Sequence, residues 1–414
     1  MSKFIVKVFN LICRSLRRPR EFFCLIIELP GVIILNVVIK KAHRDKRMVI
    51  LVELTTTNEF FFLKPVLEIL HKNKALVIFI SHSRFVEQRQ LYHFLRNLIK
   101  STFNNPKPTL IDLFWKNSFR YLDFYINATL SYDIEAPKNA RHKIHFPHAI
   151  TPKRKHDIFS PVIEQMTDIF MTGNIYAQEL SAYCRDKNIK KIPALHKIGC
   201  PKADYLFNKK VNREEFIKSI GLDPNLPTVF YAPTWNQEAS IPIWLEPILE
   251  IPDKYKVNLI VKLHPGAYNN PKSKKLSGGI DWKTFFEAEN LRKKRIYNAL
   301  NEDSAEFVMV SDIAITDIST IWIEFYLLRK NIIFLNIPDF FKKYEKNSLG
   351  EFRDTYGYLV KDVYEMNGLI EAMLNKTFDK KNPPSLDNEL IYNKGGAAQA
   401  AFEVIEKLYK SYAS

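Results

Sequence analysis

The sequence predicts an α/β protein of two parallel-sheet units facing each other across a cleft. Three observations predict it. Short apolar runs alternate with helical stretches along the chain, the pattern of parallel strands crossed over by helices. The alternation comes in two series, separated by the polar stretch Asn208 to Pro227. Polar residues able to do chemistry fall just after the apolar runs, where parallel strands deliver their carboxyl ends to a ligand.

The chain has 414 residues, room for roughly two domains, and 46% are hydrophobic, with 30 Phe and 19 Tyr. That composition supplies buried cores, and only 12 Gly with no repeat or low-complexity tract argues against long disorder. The formal charge of +16 suits acidic partners. Half of it sits at the start, where eleven Lys and Arg before Val49 face only Glu21, Glu28 and Asp45. Residues 1–47 are also apolar: Phe4, Ile5, Val8, Phe9, Leu11 and Ile12 fall near helical spacing, and Phe22 to Ile39 is a long apolar run. Glu28 and the Pro30-Gly31 pair count against a membrane span of about 20 clean residues. The segment reads as a basic amphipathic interfacial anchor on anionic lipid, or as a first helix packed on the protein's own body. Four scattered cysteines without a Cys-x-x-Cys pair fit reduced thiols and no zinc site.

The first series, residues 48–207, predicts strands at Met48–Leu54, Ala75–Ile80, Tyr121–Leu130, Lys143–Pro147, Ile169–Thr172 and Lys197–Gly199. Helices are predicted at Phe60–Leu70, with Pro65 in its first turn, and at Phe85–Lys100 and Ile175–Asp186. The second series, residues 208–414, predicts strands at Thr228–Ala232, Asn258–Leu263, Phe307–Val310, Ala314–Thr316 and Ile332–Leu335, and closes on a helix at Ala398–Tyr409 that can cross back. These are two Rossmann-like domains, with a ligand cleft between them.

The centre of the second series is Ser311 to Phe334, read as strand, tight polar turn, helix and strand. Asp317, Ser319 and Thr320 are helix-starting residues. A helix start at a sheet's carboxyl edge offers free N–H groups and partial positive charge to a phosphate. Ser319 and Thr320 add hydroxyls. Asp317 belongs to the donor side through the turn it shapes, because its charge would repel a phosphate. Glu324, one turn on, either accepts ribose hydroxyls or is a solvated helix residue.

His148, Thr234 and His264 each follow closely on a predicted strand. His148 can take a proton from an attacking hydroxyl, with Lys153, Arg154 and Lys155 downstream to neutralise phosphate; alternatively it is a surface histidine beside a solvated basic run. His264 can donate to a phosphate oxygen as a leaving group departs, or simply end a strand. Thr234 can bind phosphate, and Trp235 either lines the acceptor side or packs in the core. The sequence holds no Gly-x-x-x-x-Gly-Lys-Ser/Thr, Gly-x-Gly-x-x-Gly, Gly-x-Ser-x-Gly or His-Glu-x-x-His. Nucleotide hydrolases, dehydrogenases, serine hydrolases and zinc proteases are thereby disfavoured.

Taken in order, five elements resemble the CDP-glycerol glycerophosphotransferase family, which builds teichoic acids and related polymers. They are His148 to Lys153, Gly199-Cys200-Pro201-Lys202-Ala203-Asp204, Tyr231-Ala232-Pro233-Thr234-Trp235, Lys262-Leu263-His264-Pro265, and Ser311 to Thr320. The resemblance covers His148 to the C-terminus. It departs at Ala149, where the family usually has Gly, at Lys262 for a common Arg, and at Ile318-Ser319-Thr320 for Tyr-Ser-Ser.

The resemblance implies a GT-B fold and a phosphotransferase of the EC 2.7.8 class. It implies that glycerol phosphate or a related polyol phosphate passes from a CDP-activated donor to a hydroxyl of a glycan or lipid-linked acceptor. CMP leaves, and no metal or other cofactor is required. His148 and His264 would be catalytic. Thr234, Lys262, Asp317, Ser319, Thr320 and Glu324 would serve the donor, and Lys153 and Trp235 the acceptor and its phosphate. The implied setting is teichoic-acid or capsule synthesis at the cytoplasmic face of a bacterial cell membrane, held peripherally by the N-terminus. The expected enzyme makes a single or priming addition and binds no nucleic acid. Two alternatives stand beside it: a GT-B glycosyltransferase using CMP-Kdo or a UDP-sugar, and a non-enzymatic basic protein that binds membrane or nucleic acid.

Overall fold

The computed structural model describes residues 19–81, 89–103, 108–119, 121–129, 135–147, 150, 159–264, 267, 281–288, 295–299, 302–344 and 353–413. The apolar run after Pro19 forms one long helix, α1 (Pro19–Arg44), with Pro30 inside it. Val32, Leu35, Ile39 and Ala42 recur at helical spacing and are buried. They cover one face of β1 (Val49–Leu54), whose side chains alternate: Val49 and Leu51 join the core under α1, while Ile50, Val52 and Leu54 join the opposite core. A strand buried on both faces belongs inside a parallel sheet covered by helices on each side.

The second face is covered by α2 (Thr57–Lys72). Thr56 and Glu59 start it with a reciprocal capping box, which satisfies N–H groups the helix cannot pair itself. β2 (Leu76–Ser81), β3 (Thr109–Asp112), β4 (Leu122–Asn127), β5 (Ala140–His145), β6 (Asp168–Met171) and β7 (Ala194–Lys197) follow, with α3 (Asn174–Asp186) before β7. All pair in parallel, in the order β3-β2-β1-β4-β5-β6-β7. Strand order reverses between β1 and β4, so a crevice opens outside their carboxyl ends.

Gly199 and α4 (Pro201–Asn208) lead toward the second sheet. Its strands are β8 (Thr228–Tyr231), β9 (Asn258–Val261), β10 (Ile296–Asn298), β11 (Ile313–Thr316), β12 (Asn331–Leu335) and β13 (Tyr358–Val360). They are again parallel, in the order β10-β9-β8-β11-β12-β13, and the reversal falls between β8 and β11. Two helices matter for the site: α5 (Ser304–Val310) before β11, and α6 (Ile321–Leu327) after it. The last helix, α7 (Ala397–Ala413), returns to the first lobe. Its first N–H groups, Ala397 and Ala398, donate to the Asp204 carboxylate at 3.0 and 2.7 Å, and the Tyr412 hydroxyl lies 3.3 Å from Asp123 on β4.

Three sequence expectations are corrected. Phe307 to Val310 is helical, because Asp303 caps the run by accepting the Ala305 N–H at 3.2 Å and one apolar face then packs inward. Pro65 lies in the middle of α2, since the helix begins earlier, at Thr57. The short strands β3, β10 and β13 had no predicted counterpart.

Candidate active site

The second sheet presents its strand ends at the β8/β11 reversal. Ala232 continues β8 by donating its N–H to Ile315 at 3.1 Å, and the Thr316 hydroxyl returns a bond to the Ala232 carbonyl at 2.7 Å. This fixes the Pro233–Trp235 segment against the Asp317–Thr320 turn. The pin between them is Asp317, fully buried. Its Oδ1 accepts the N–H groups of Thr234 at 2.9 Å, Ile318 at 2.6 Å and Ser319 at 3.1 Å; its Oδ2 accepts the Ser240 N–H at 3.1 Å and hydroxyl at 2.7 Å. A carboxylate so engaged has nothing left for a donor, so Asp317 serves the donor side only through the turn it shapes, as its charge implied. Arg353, buried and outside every sequence motif, holds the same turn by donating to the Asp317 and Leu335 carbonyls at 3.0 and 3.3 Å. Burial lowers its guanidinium to about 10 despite the Asp317 charge.

Thr234 is corrected. Its side chain is fully buried, with no hydroxyl partner among the described residues, and its N–H serves Asp317, while its neighbours Ala232 and Pro233 line the cleft. Trp235, half-buried, stacks flat on His264, with ring centroids 5.5 Å apart and planes 13° apart. The pair joins the ends of β8 and β9.

The cleft itself is lined from the second lobe by Lys262, His264, Ser304, Ser319, Thr320 and Glu324. Asn58 and Phe62 of α2, and Ile150, line it from the first lobe. His148 and Lys153 lie outside the described residues; Ile150, close to both in sequence, borders the cleft. Glu324 is buried, which removes its reading as a solvated helix residue. Its Oε1 accepts from Lys202 Nζ at 2.7 Å and its Oε2 from the Ser304 hydroxyl at 3.1 Å. Lys262 donates to the Ala299 carbonyl at 3.3 Å, and burial together with the nearby Lys202 charge lowers its ammonium to about 8. Burial opposes the Lys202 charge too, but Glu324 and Asp303 outweigh it and raise that ammonium. Cys200, also on the cleft wall, is a buried thiol pushed up to about 12 and so inert as a nucleophile. Among the described residues no group of His, Cys, Asp and Glu is arranged to hold a metal ion.

Sequence reasoning missed Lys202, Ser304 and Arg353 as site residues. The Gly199 to Asp204 motif marked the first; the others carry no local signal, because their partners are distant in the chain.

Two parallel α/β lobes, with a helix start, a histidine and two lysines gathered at one cleft, define a GT-B-like protein. Within that class the chain belongs to the CDP-glycerol:poly(glycerophosphate) glycerophosphotransferase family, whose model matches residues 161–407. It is 25% identical over 284 residues to the teichoic acid poly(glycerol phosphate) polymerase of Bacillus spizizenii, covering 65% of this chain and 66% of that protein. The chain thus spans just under two thirds of that relative's length. Among solved structures it resembles the wall teichoic acid polymerase TagF, at a TM-score of 0.61 and 13% identity, covering 99% of this chain and 98% of that one. A form of TagF soaked with CDPG matches at a TM-score of 0.56 and 14% identity, covering 99% of each chain. The fold also extends to the UDP-GlcNAc 2-epimerase of Methanocaldococcus jannaschii in complex with UDP-GlcNAc and UDP, at 0.53 and 16%, covering 88% of this chain and all of that one.

Proposed function

We propose that the protein transfers glycerol phosphate, or a related polyol phosphate, from a CDP-activated donor to an acceptor hydroxyl. An acceptor oxygen attacks the donor's β-phosphorus. The new phosphodiester forms as the bridging P–O bond breaks, and CMP leaves with that oxygen. His148 takes the proton of the attacking hydroxyl. His264, braced by Trp235, donates to the diphosphate as negative charge builds on the departing phosphate. Ser319 and Thr320 add hydroxyl donors, and Lys262 supplies positive charge. Glu324 accepts the ribose hydroxyls. One observation carries the reading: in a member of this family, His264, Ser319, Thr320 and Glu324 line a single cleft at a strand-order reversal.

A membrane-bound acceptor is supported by α1. One face of that helix packs on the first lobe, while Ile27, Ile34 and Val37 on the other are 51, 64 and 65% exposed, with the exposed Lys40, Lys41 and Arg44 at its end. No described helix is long and apolar enough to cross a membrane. Such a helix lies in the headgroup layer, its cations toward anionic lipid. The working location is the cytoplasmic face of the cell membrane, the acceptor a lipid-linked or polymeric glycan in the envelope pathway.

The test offers CDP-glycerol, CDP-ribitol, CMP-Kdo and UDP-sugars with membranes as acceptor source, and follows nucleotide release. CMP from a CDP-polyol, lost by at least about a hundredfold in His264→Ala, is the expected result. Release only from a nucleotide sugar would overturn it.

A further inference from the structure

Lys202 sits at the second position of α4, the helix that follows the last strand of the first sheet, yet its ammonium is spent on the second lobe. Nζ donates to Glu324 Oε1 at 2.7 Å and to the Ser304 hydroxyl at 2.5 Å, with Asp303 at 4.0 Å. Ser304 in turn donates to Glu324 Oε2 at 3.1 Å. The carboxylate is therefore fixed at both oxygens, on a cleft wall that Lys202 and Ser304 share with Ser319, Thr320 and His264. Each carboxylate oxygen has two acceptor sites, so capacity for a hydroxyl remains.

We propose that Lys202 is a positioning residue for the nucleotide's ribose: with Ser304 it holds the Glu324 carboxylate in place, so that the carboxylate can accept a ribose hydroxyl. This rests on the donor assignment above, in which Glu324 reads ribose. Without the Lys202 hydrogen bond, one oxygen of this buried carboxylate loses its anchor and the group is free to turn away from the ribose. Lys202 acts on ribose recognition through Glu324, and it ties that recognition to the junction between the lobes.

The experiment titrates the full chain with CMP and with 2′-deoxy-CMP, in wild type, Lys202→Met, Lys202→Arg and Glu324→Gln, with thermal melts to confirm folding. Wild type should prefer CMP about tenfold, the worth of one hydrogen bond to a charged group. Lys202→Met and Glu324→Gln should both bring the ratio to within about twofold, and Lys202→Arg should restore most of it. If Lys202→Met fails to fold, the Lys202→Arg and Glu324→Gln ratios decide. A ratio unchanged in Lys202→Met overturns the proposal. So does equal weakening of both nucleotides, which would make Lys202 a direct phosphate ligand, and so does a wild type with no preference. CMP bound with the ribose preference, but no CMP released from any CDP-polyol, would remove the transferase reading and leave this inference standing.

Discussion

Asp317 shows how much of the site rests on one side chain. Replacement by Asn keeps the shape but removes the charge and turns an NH2 toward backbone donors. A buried donor set left unpaired costs about 1–3 kcal/mol, and more for a charged acceptor. Asp317→Asn should therefore lose about 3 kcal/mol in urea denaturation and weaken nucleotide binding, because Ser319 moves with the turn. Lys262 gives a pH dependence. Its folded ammonium is lowered to about 8 against roughly 10.4 for a free lysine. Between those values the unfolded chain binds more protons, so this group's contribution to stability rises with pH. Donor binding has the opposite sign, because a diphosphate wants the charged form. The donor KM should be flat below pH 7.5 and climb above 8, approaching tenfold per unit, with proton uptake seen by calorimetry in two buffers. Lys262→Arg, which stays charged, should abolish the rise. His264, Ser319, Thr320 and Glu324 were legible as residues that follow strands. The burial of Thr234 was not, since a strand-end position does not say which way a side chain turns.

At the scale of elements, strands buried on both faces were readable from their apolar runs, as β1, β8 and β11 show. The run Phe307 to Val310 looked the same but is helical, because Asp303 caps it and short apolar runs lack a period that separates the two states. β3, β10 and β13 lie at or beside sheet edges, with too little apolar sequence to announce themselves. The connection at Gly199 is more exacting than its sequence suggests. Its φ of +99° favours glycine, and an added Cβ would lie 2.1 Å from the Tyr392 carbonyl oxygen. Since that backbone belongs to the returning C-terminal segment, neither side can yield cheaply. Gly199→Ala should cost more than about 2 kcal/mol and displace Lys202, read as a lowered denaturation midpoint together with a reduced CMP preference. On α1, Ile34→Asp with Val37→Asp touches only the exposed face. Removing two apolar groups and adding two negative charges should cut sedimentation with anionic vesicles by at least about tenfold. The melting temperature should stay within about two degrees, as for surface changes generally.

For the whole molecule, the question is what makes two sheets behave as one body. The core on one face of the first sheet runs without a break into the second, through Leu206 on α4 and Ala401, Phe402 and Ile405 on α7. α7 starts on the Asp204 carboxylate, packs along α2 and α4, and ends at Asp123 on β4. It therefore belongs by sequence to the second lobe and by contact to the first. The helix itself was legible at Ala398 to Tyr409; its landing site was not, because Asp123 and Tyr412 are 289 positions apart. Removing residues 397–413 would uncover the faces of α2 and α4 it packs on and unpair Asp204. Each lobe would keep its own sheet, but the shared core would be cut. The full chain should unfold in one cooperative transition, with fluorescence and circular dichroism coincident. The truncated chain should show two, the first lobe melting earlier because it loses most of the buried area. A truncated chain that still unfolds in one step at an unchanged midpoint would mean that the interface around Lys202 and Glu324 couples the lobes without α7.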